Sequence, residues 1–533
     1  MGVENAAFVI RTLRFVAKNV LCCWYMLVEM GFWLFNKAFR ERKAVSPVSH
    51  ELLLLSATEL ARRIREEEVS SIEVVEAFIQ RIESVNSLLN CVVQTNYEEA
   101  RREARAVDKM LNEGTAPSVD TAPFLGVPFT LKDCIFVKGL KCTAGIPCRR
   151  ETRGEADAEI VGLMRGAGGL PLAVTNVSEV CMWYEASNSI YGRTSNPYDT
   201  RRTVGGSSGG EAALIAAGGS VFGIGSDIGG SIRMPAYFNG IFGHKPSKYI
   251  VSDVGCYPPV SGYQSAMHSA GPLCRYAEDL LPMLRVLAGT SASQLSLDNQ
   301  KVDFGKIRLF YMEDIHNPFI SPVNAEVRGA LKKAVKYLEA RYELVSIRLD
   351  LPLFRAALDL WSNDMESTEP GNPSFSQEMA GRQGDVAPAA ELGRWLLRRS
   401  PHTFPAIGLA LLEKAPGKPG PEQRRKLSVL RERLLRQMQE VLGSDGVFLF
   451  PPHPVAAPFH HQPIFQPFNF LYTALFNSLG LPVTQCPMGL DSEGRPLGLQ
   501  IVAALYNDHL TIALAKELER AFGGWVNPSG SRS

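Results

Sequence analysis

The chain has 533 residues, of which 45% are hydrophobic and 21% charged, and its formal net charge is +1. A near-neutral chain without a block of lysine and arginine cannot neutralise many phosphates, so nucleic acid is excluded as an expected partner. The length would suggest about three or four domains of ~150 residues, but large α/β enzymes often form one unit and no repeat period is present.

Cysteine and histidine usage gives no indication of a metal site. Ten cysteines are dispersed without a C-x-x-C pair, His460 and His461 are adjacent, and H-E-x-x-H is absent. We therefore expect mostly free thiols in a reducing compartment, no zinc site and no cofactor. The cysteines are Cys22, Cys23, Cys91, Cys134, Cys142, Cys148, Cys181, Cys256, Cys274 and Cys486.

The N-terminus is apolar and is flanked by basic residues. Residues 20–35 read VLCCWYMLVEMGFWLF, with a single carboxylate at Glu29. This run is shorter than the ~20 residues that span a bilayer, and a central carboxylate costs ~2.5–3.5 kcal/mol on insertion scales. Aromatic residues such as Trp24 and Trp33 are typical of a membrane interface. We expect residues 1–43 to form a membrane anchor, spanning or in the interface; the alternatives are a buried core helix and a signal peptide.

Helix and strand patterns alternate along the rest of the chain. A connector over 44–55 leads to capping boxes at Ser56 and Ser70, and a further helical pattern covers 327–342. The alternation predicts an α/β fold: a single large domain over 56–526 with a mixed twisted β-sheet covered by helices on both faces. The predicted strands are 123–133, 170–177, 307–314, 342–349, 446–454, 480–490 and 497–504.

Two stretches interrupt this alternation. Residues 364–390 are rich in Gly, Pro, Ser and Glu, and we expect them to form an inserted loop. Residues 392–413 combine apolar residues with arginines around Pro401 and Pro405, which predicts two short helices. These helices either pack on the domain with solvated arginines or form a second membrane-contacting patch or lid.

The most informative stretch runs from Gly205 to Gly230, contains ten glycines in 26 residues and is followed at once by Ser231. Glycine at this density serves backbone that bends sharply or approaches another group closely. A flexible linker would not contain the apolar runs found inside it. Ser207 lies in this stretch, and Lys132 ends an apolar run 75 residues upstream. Together these residues indicate nucleophilic catalysis by serine without histidine.

The proposed chemistry needs a base and an oxyanion site. Lysine can remove a serine proton only in its neutral form, which desolvation favours. The apolar run FLGVPFTL before Lys132 could supply that desolvation, provided that Asp133 points away along the strand. Consecutive N–H groups in a glycine turn can then stabilise the oxyanion. The expected donors are the backbone N–H groups of Ile228, Gly229, Gly230 and Ser231.

Other glycine motifs fit less well. No Lys-Ser or Lys-Thr stands where a Walker phosphate loop requires it, and Ile228 occupies the third glycine position of a dinucleotide fingerprint. The nucleophile elbow G-x-S-x-G is matched by Gly205, Ser207 and Gly209, but no ordered Asp and His follow it.

Several segments resemble the amidase signature family. They are GGSSGG, GSDIGGSIRMPA with a second serine 24 residues after the first, GVPFTLKD, GRTSNP and FGHKPS. The resemblance covers roughly residues 55–520 and is greatest to the fatty-acid amide hydrolases, especially the second (type 2) form. It implies cleavage of fatty-acid primary amides and N-acyl ethanolamines at a membrane.

The resemblance also implies residue roles. Ser231 would be the acylated nucleophile, Ser207 the middle serine that relays protons, with a cis peptide before it, and Lys132 the base. The residues that would order this network are Ser208, Asp227 and Arg233, and the candidates for lining an acyl chain, or for simple core packing, are Met182 and Trp183.

We therefore expect a membrane-associated serine hydrolase that cleaves fatty-acid amides through an acyl-enzyme and a Ser-Ser-Lys triad. The alternatives are an amidase or glutamine amidotransferase subunit acting on small soluble amides, and a catalytically silent lipid-binding protein. The expected partners are a lipid amide and an intracellular membrane, at the endoplasmic reticulum or lipid droplets, with a homodimer left open.

Overall fold

A computed structural model describes residues 2–297, 302–366 and 372–528, with residues 2–18 described by backbone alone. The described residues form helices and strands in alternation. The helices are α1 Gly2–Phe39, α2 Ala57–Arg65, α3 Ser71–Leu89, α4 Tyr97–Asn112, α5 Glu159–Gly166, α6 Gly209–Ala216, α7 Arg233–Phe238, α8 Gln264–Met267, α9 Leu280–Ala288, α10 Ala325–Tyr342, α11 Ala357–Met365, α12 Phe375–Met379, α13 Pro388–Leu396, α14 Phe404–Lys414, α15 Pro421–Leu442, α16 Leu471–Leu479 and α17 Asp508–Phe522.

The strands form one large sheet and one short hairpin. The large sheet has eleven strands among the described residues, and β4 and β5 pair separately. The strands are β1 Val92–Thr95, β2 Pro128–Lys132, β3 Leu170–Thr175, β4 Ser187–Asn188, β5 Gly192–Arg193, β6 Phe222–Asp227, β7 Phe242–Lys245, β8 Ser269–Cys274, β9 Arg308–Tyr311, β10 Ser346–Arg348, β11 Gly446–Phe450, β12 Val483–Leu490 and β13 Pro496–Ala503.

The large sheet is mixed. Its strand order is β1-β3-β2-β6-β8-β7-β12-β13-β11-β9-β10. Strand β2 runs parallel to both β3 and β6, whereas β6 and β8 are antiparallel. Every residue of β2, β3, β6 and β8 is buried, so both faces of the sheet are covered. The predicted mixed α/β sheet is confirmed.

The parallel arrangement of β2, β3 and β6 brings their carboxyl ends to one edge. Lys132 ends β2, Thr175 ends β3 and Asp227 ends β6, and Lys132 pairs with Thr175 in register. Because parallel strands end on the same side of a sheet, side chains that follow them meet there. This edge carries the residues singled out from the sequence.

All seven predicted strands are present, whereas the sequence analysis did not predict β1, β4, β5, β6, β7 and β8. The predicted strands correspond to β2, β3, β9, β10, β11, β12 and β13. Strand β6 was not predicted because its sequence, FGIGSD, reads as part of a glycine-rich turn. A Cβ at Gly225 would lie 2.7 Å from the Leu273 side chain, so glycine here permits close packing of neighbouring elements.

The two helix-start signals are present with one difference. Ser70 and Glu73 form the predicted capping box at α3. Ser56 caps α2 by accepting a hydrogen bond from the Glu59 N–H, but the Glu59 carboxylate pairs with nearby arginines instead of returning to the cap.

The expected inserted loop over 364–390 is partly wrong. Helix α11 extends to Met365, and a capping box between Ser374 and Gln377 starts α12. The polar capping residues that made this stretch read as a loop are the residues that begin a helix. Over 392–413 the two predicted short helices are confirmed as α13 and α14.

The apolar N-terminus forms helix α1, which rests on the domain by one face. Tyr25 and Val28 are buried, and the rings of Trp24 and Phe32 lie against Phe465. The opposite face exposes apolar side chains to solvent. Among the described residues no helix has the apolar length needed to cross a bilayer.

Close packing at β6 predicts a strong effect of one added methyl group. A Cβ at Gly223 would lie 1.7 Å from Glu211 Oε1 and 3.0 Å from the Thr130 carbonyl oxygen. The Glu211 carboxyl is held by the hydroxyls of Thr130 and Thr175, so it cannot swing aside. We expect Gly223→Ala to lower the free energy of unfolding by about 1–3 kcal/mol, measured by urea denaturation.

Gly162→Ala provides the control. Gly162 lies exposed inside α5, and no atom lies within 4 Å of a Cβ built there. Alanine in a helix is more favourable than glycine by about 0.5–1 kcal/mol, so this variant should gain stability. Equal stability of the two variants would contradict the packing argument.

Candidate functional site

The site begins at Lys132, whose side chain is fully buried at the end of β2. Its Nζ donates to Ser207 Oγ at 2.7 Å, to Ser226 Oγ at 2.8 Å and to the Ser226 carbonyl oxygen at 3.2 Å. These acceptors account for the three donors of an ammonium group. Within the described ranges no carboxylate forms an ion pair with Lys132, so its partners are neutral oxygens.

Asp133 points away from this amine, as the alternation of a strand requires. Its carboxyl accepts hydrogen bonds from the Thr143 N–H, at 2.8 Å, and from the Thr143 hydroxyl. Burial raises the pKa of Asp133 to about 7. The residue next to Lys132 in sequence therefore belongs to a separate buried hydrogen-bond group.

Ser207 lies at a backbone turn that glycine makes possible. The Gly206–Ser207 peptide bond is cis, as the family resemblance implies. A Cβ at Gly206 would lie 2.3 Å from the Trp183 carbonyl oxygen, so no larger residue fits. The turn leads directly into α6 and leaves the Ser207 hydroxyl beside Lys132.

Ser208 links the turn at Ser207 to the turn at Ser231. Its N–H donates to the Ser231 carbonyl oxygen at 3.2 Å, and its Oγ donates to the Ser226 carbonyl oxygen at 3.3 Å. Among the described residues no hydrogen bond joins the hydroxyls of Ser207 and Ser231. The structure therefore places Ser207 in direct contact with Lys132, whereas Ser231 is bonded through its backbone to Ser208, the residue after Ser207.

Ser226 is a site residue that sequence reasoning missed. It accepts from Lys132 through both its hydroxyl and its carbonyl oxygen, and the same carbonyl accepts from Ser208. Its only sequence signal is its place in the glycine-rich stretch, one residue before Asp227.

A buried ion pair holds the loop between β6 and α7. Arg233 Nε lies 3.0 Å from Asp227 Oδ2, and both side chains are fully buried. The Asp227 carboxylate also accepts from the N–H groups of Gly230, at 2.6 Å, and Ile232, at 3.0 Å. Burial alone raises the pKa of Asp227, but the Arg233 guanidinium outweighs it and holds that pKa well below its usual range.

The four N–H groups expected to form the oxyanion site are not equivalent. The Gly230 N–H donates to the Asp227 carboxylate. The N–H groups of Ile228, Gly229 and Ser231 have no acceptor among the described residues. Ser231 is 9% exposed and Lys132 is 0% exposed, so the turn lies at the more open side of the site. Three unpaired N–H groups at such a turn can receive a negatively charged oxygen.

Met182 and Trp183 are both half-buried. Trp183 reaches the site through its backbone, since its carbonyl oxygen abuts Gly206. Met182 packs on the edge of the main hydrophobic core. Their position fits core packing as well as contact with a substrate chain.

Comparison with known proteins gives matches over most of the chain. The family model described as Amidase matches residues 73–512. Fatty-acid amide hydrolase 2-A of Danio rerio is 47% identical over 520 residues, which cover 94% of this chain and 96% of that protein. Fatty-acid amide hydrolase 2 of Homo sapiens is 46% identical over 493 residues, which cover 91% of this chain and 92% of that protein. The solved structure of a fatty acid amide hydrolase has the same fold, with a TM-score of 0.72 and 24% identity, and covers 89% of this chain and 86% of its own.

The ion pair under the loop predicts a large loss of stability in Asp227→Asn. The substitution leaves the buried Arg233 guanidinium without its counter-charge, and breaking a buried pair in this way costs about 3–5 kcal/mol. Because the pKa of Asp227 is lowered on folding, the pair's contribution is complete above the unfolded-state pKa of ~3.9 and is lost only as pH falls through the lower folded-state value. Urea unfolding should therefore show the full deficit from pH 7 down to about pH 5.

Asp445→Asn is the matched control because Asp445 pairs with Arg308 at 2.7 Å on the surface, with both side chains nearly half exposed. An exposed pair contributes about 0.2–1 kcal/mol. A deficit of similar size in both variants would show that the buried pair does not hold the loop.

Proposed function

This chain belongs to the amidase family, and on that premise we propose that it hydrolyses fatty-acid amides through an acyl-enzyme on Ser231. The hydrogen bond of 2.7 Å between Lys132 Nζ and Ser207 Oγ carries the proposal, because it connects a buried amine to a serine hydroxyl beside the Ser231 turn. The relatives named as fatty-acid amide hydrolases support the substrate class, since their similarity extends over more than nine-tenths of the chain.

Acylation begins with Lys132 in its neutral form, in which Nζ keeps two N–H donors for Ser226 and its lone pair accepts a hydrogen bond from the Ser207 hydroxyl. The Ser231 hydroxyl attacks the amide carbon and gives its proton to Ser207 Oγ, while Ser207 gives its own proton to Lys132 Nζ. The carbonyl oxygen becomes an oxyanion, which accepts hydrogen bonds from the N–H groups of Ile228, Gly229 and Ser231. Such preorganised donors are often the largest single contribution to rate.

Collapse of the tetrahedral intermediate breaks the bond between carbon and nitrogen. The proton held on Lys132 returns through Ser207 to the departing amine, which leaves as a neutral molecule. Water then attacks the acyl-enzyme, and its proton follows the same path to Lys132. Release of the fatty acid restores the Ser231 hydroxyl, so two easier steps replace one difficult step.

The surrounding residues act by position. Ser226 fixes the Lys132 amine with two acceptors, and Ser208 holds the two catalytic turns together. Asp227 and Arg233 form a buried ion pair, and the Asp227 carboxylate binds N–H groups of the oxyanion loop. None of these four residues needs to exchange a proton with the substrate.

We propose that the enzyme works at a lipid surface. The solvent-facing side of α1 exposes 58% of Leu27, 53% of Met30 and 51% of Leu34. The end of α13 adds an exposed pair, Leu396 and the residue that follows the helix, Leu397. Exposed apolar residues in such number are typical of membrane contact, and α1 would lie in the interface. Met182 and Trp183 are proposed to contact the acyl chain.

The remaining expectations stay predictions. They concern a homodimer and residence at the endoplasmic reticulum or lipid droplets. A small soluble amide as substrate remains the alternative that the first experiment below tests.

Removal of the nucleophile tests the catalytic assignment. We expect Ser231→Ala to reduce hydrolysis of a long-chain primary amide by about 10⁶-fold, the loss typical for a serine nucleophile. The same variant should not be labelled by a fluorophosphonate probe, which reacts with activated serines. Hydrolysis is measured by ammonia release, and labelling by intact mass.

Ser252→Ala serves as the control because Ser252 lies on a loop and donates to Glu159. Labelling that persists on another serine in Ser231→Ala would remove the assignment. A series of amides from two to eighteen carbons tests the substrate class at the same time. A kcat/KM that is higher for the short amides would contradict the fatty-acid proposal.

The exposed face of α1 predicts a loss of membrane binding on charge introduction. The combined variant Leu27→Glu, Met30→Glu and Leu34→Glu changes only exposed positions and leaves the buried Tyr25 and Val28 in place. Because burying each apolar side chain is worth about 1.5–3 kcal/mol, we expect binding to phosphatidylcholine vesicles to fall at least about tenfold. Flotation of the protein with the vesicles measures binding.

The control is Val345→Glu with Ile347→Glu, two exposed apolar positions on the far edge of the sheet, where Val345 is 84% exposed. This control should float like the wild type. Equal flotation of the α1 variant would place the lipid contact elsewhere, for which α13 and α14 are the next candidates.

A further inference from the structure

We propose that Trp361, on helix α11, is a positioning residue that aims the Gly229 N–H at the substrate oxyanion. The inference rests on the proposed function, since it concerns the oxyanion site of that reaction. Trp361 lies 133 positions from Ile228 in sequence, yet its indole Nε1 donates to the Ile228 carbonyl oxygen at 3.1 Å.

The argument starts from the geometry of a peptide unit. In a trans peptide the C=O of one residue and the N–H of the next point in opposite directions, and the unit is planar. A donor that fixes the Ile228 carbonyl therefore fixes the Gly229 N–H as well. That N–H has no acceptor among the described residues, so it is available to a substrate.

Each neighbouring peptide unit of the loop is held at its carbonyl in the same way. Asn477 Nδ2 donates to the Asp227 carbonyl oxygen at 3.2 Å, and Thr473 Oγ1 to that of Gly229 at 2.8 Å. Asn477 and Thr473 lie one turn apart on the same face of α16. The Gly230 carbonyl oxygen accepts from the Met234 N–H at 2.8 Å. The carbonyl groups of Asp227, Ile228, Gly229 and Gly230 are therefore all anchored. Of the four N–H groups in the same peptide units, only that of Gly230 has an acceptor among the described residues.

Trp361 differs from Asn477 and Thr473 in the groups that its loss would affect. Asn477 also binds the Asp227 carboxylate, so its loss would disturb the ion pair. Thr473 anchors the peptide unit between Gly229 and Gly230, and the N–H of that unit already donates to Asp227. Trp361 is the one of these three side chains that anchors a peptide unit with an unpaired N–H and does not also contact Asp227 or Arg233.

The indole is itself held in place. Its ring meets Phe470 edge to face, with centroids 4.9 Å apart at 77°. A Cβ at Gly229 would lie 3.3 Å from Trp361 Nε1, so glycine at this position lets the indole approach the loop closely. The donor and the peptide that it fixes are therefore packed against each other.

The test is Trp361→Phe, which keeps an aromatic ring against Phe470 and removes the N–H donor. We expect kcat for a long-chain amide to fall by about tenfold, less than the 10²–10³-fold lost when an oxyanion donor itself is removed, with KM unchanged. The affinity for a fatty-acyl trifluoromethyl ketone, whose adduct carries an oxyanion, should fall by the same factor. The affinity for the fatty-acid product should stay the same.

Trp525→Phe is the matched control. Its indole donates to the Ala216 carbonyl oxygen at 3.1 Å, at the far end of α6, so it loses an equivalent hydrogen bond away from the loop. Its kcat should equal that of the wild type. The N–H can also be removed alone by placing the benzothiophene analogue of tryptophan at position 361, which preserves the ring shape if phenylalanine impairs folding.

The outcomes separate the two proposals. If the wild type is active and Trp361→Phe retains full kcat and ketone affinity, the assignment of Trp361 is overturned and the proposed function stands. If Trp361→Phe loses thermal stability and product affinity together with kcat, its role is structural and the assignment is also overturned. A wild type that hydrolyses no amide and shows no labelling at Ser231 would overturn both.

Discussion

The buried pair between Asp227 and Arg233 is the interaction on which the site depends. Two charged groups at 0% exposure are stable together only when their remaining hydrogen-bonding positions are filled. Arg233 meets that condition through the Thr473 carbonyl oxygen and the side chains of Asn477 and Gln500. The pair therefore joins the end of β6 to α16 and β13, elements more than 200 residues away in the chain.

This pair also fixes the conformation of the proposed oxyanion loop, residues 228–231. The Asp227 carboxylate takes the N–H groups of Gly230 and Ile232, which turns the chain sharply between β6 and α7. Gly230 has a φ of 120°, which favours glycine, and a Cβ there would meet Thr473 Oγ1 at 2.0 Å. The conformation that makes room for α16 also leaves the other N–H groups of the loop unpaired. The close packing of the loop against α16 and the unpaired N–H groups of the loop therefore both follow from the conformation that the Asp227 carboxylate fixes.

Much of this arrangement could be predicted from the sequence, because its signals are local. The apolar run before Lys132 predicts a buried strand, and the glycines around Ser207 and Ser231 predict tight turns. The resemblance to the amidase signature family implies roles for these residues. The contact between Lys132 and Ser226, by contrast, follows from the parallel pairing of β2 with β6, a strand that the sequence analysis did not predict.

The parts that could not be predicted depend on contacts distant in sequence. Nothing near Trp361 or Thr473 marks them as partners of a loop 133 and 244 residues away. Strand β6 was hidden because its glycines serve close packing against Glu211 and Leu273. Serine favours both turns and helix starts, so the serines before α12 indicate a loop as readily as the beginning of a helix.

The exposed hairpin of α13 and α14 is bound by the carboxyl group of Glu179, which lies four residues before Trp183 in sequence. It accepts from His402 Nδ1 at 2.6 Å and from the Thr403 N–H at 2.7 Å, both in the turn between those helices. The next residue, Val180, has a φ of 57°, a left-handed conformation that costs a β-branched residue of order 1–3 kcal/mol. Such a conformation persists only where surrounding contacts fix it, and the Val180 N–H is bonded to the Ala144 carbonyl oxygen at 2.9 Å. Since the Trp183 carbonyl oxygen abuts Gly206 three residues later, this short segment joins the hairpin to the backbone that supports Ser207.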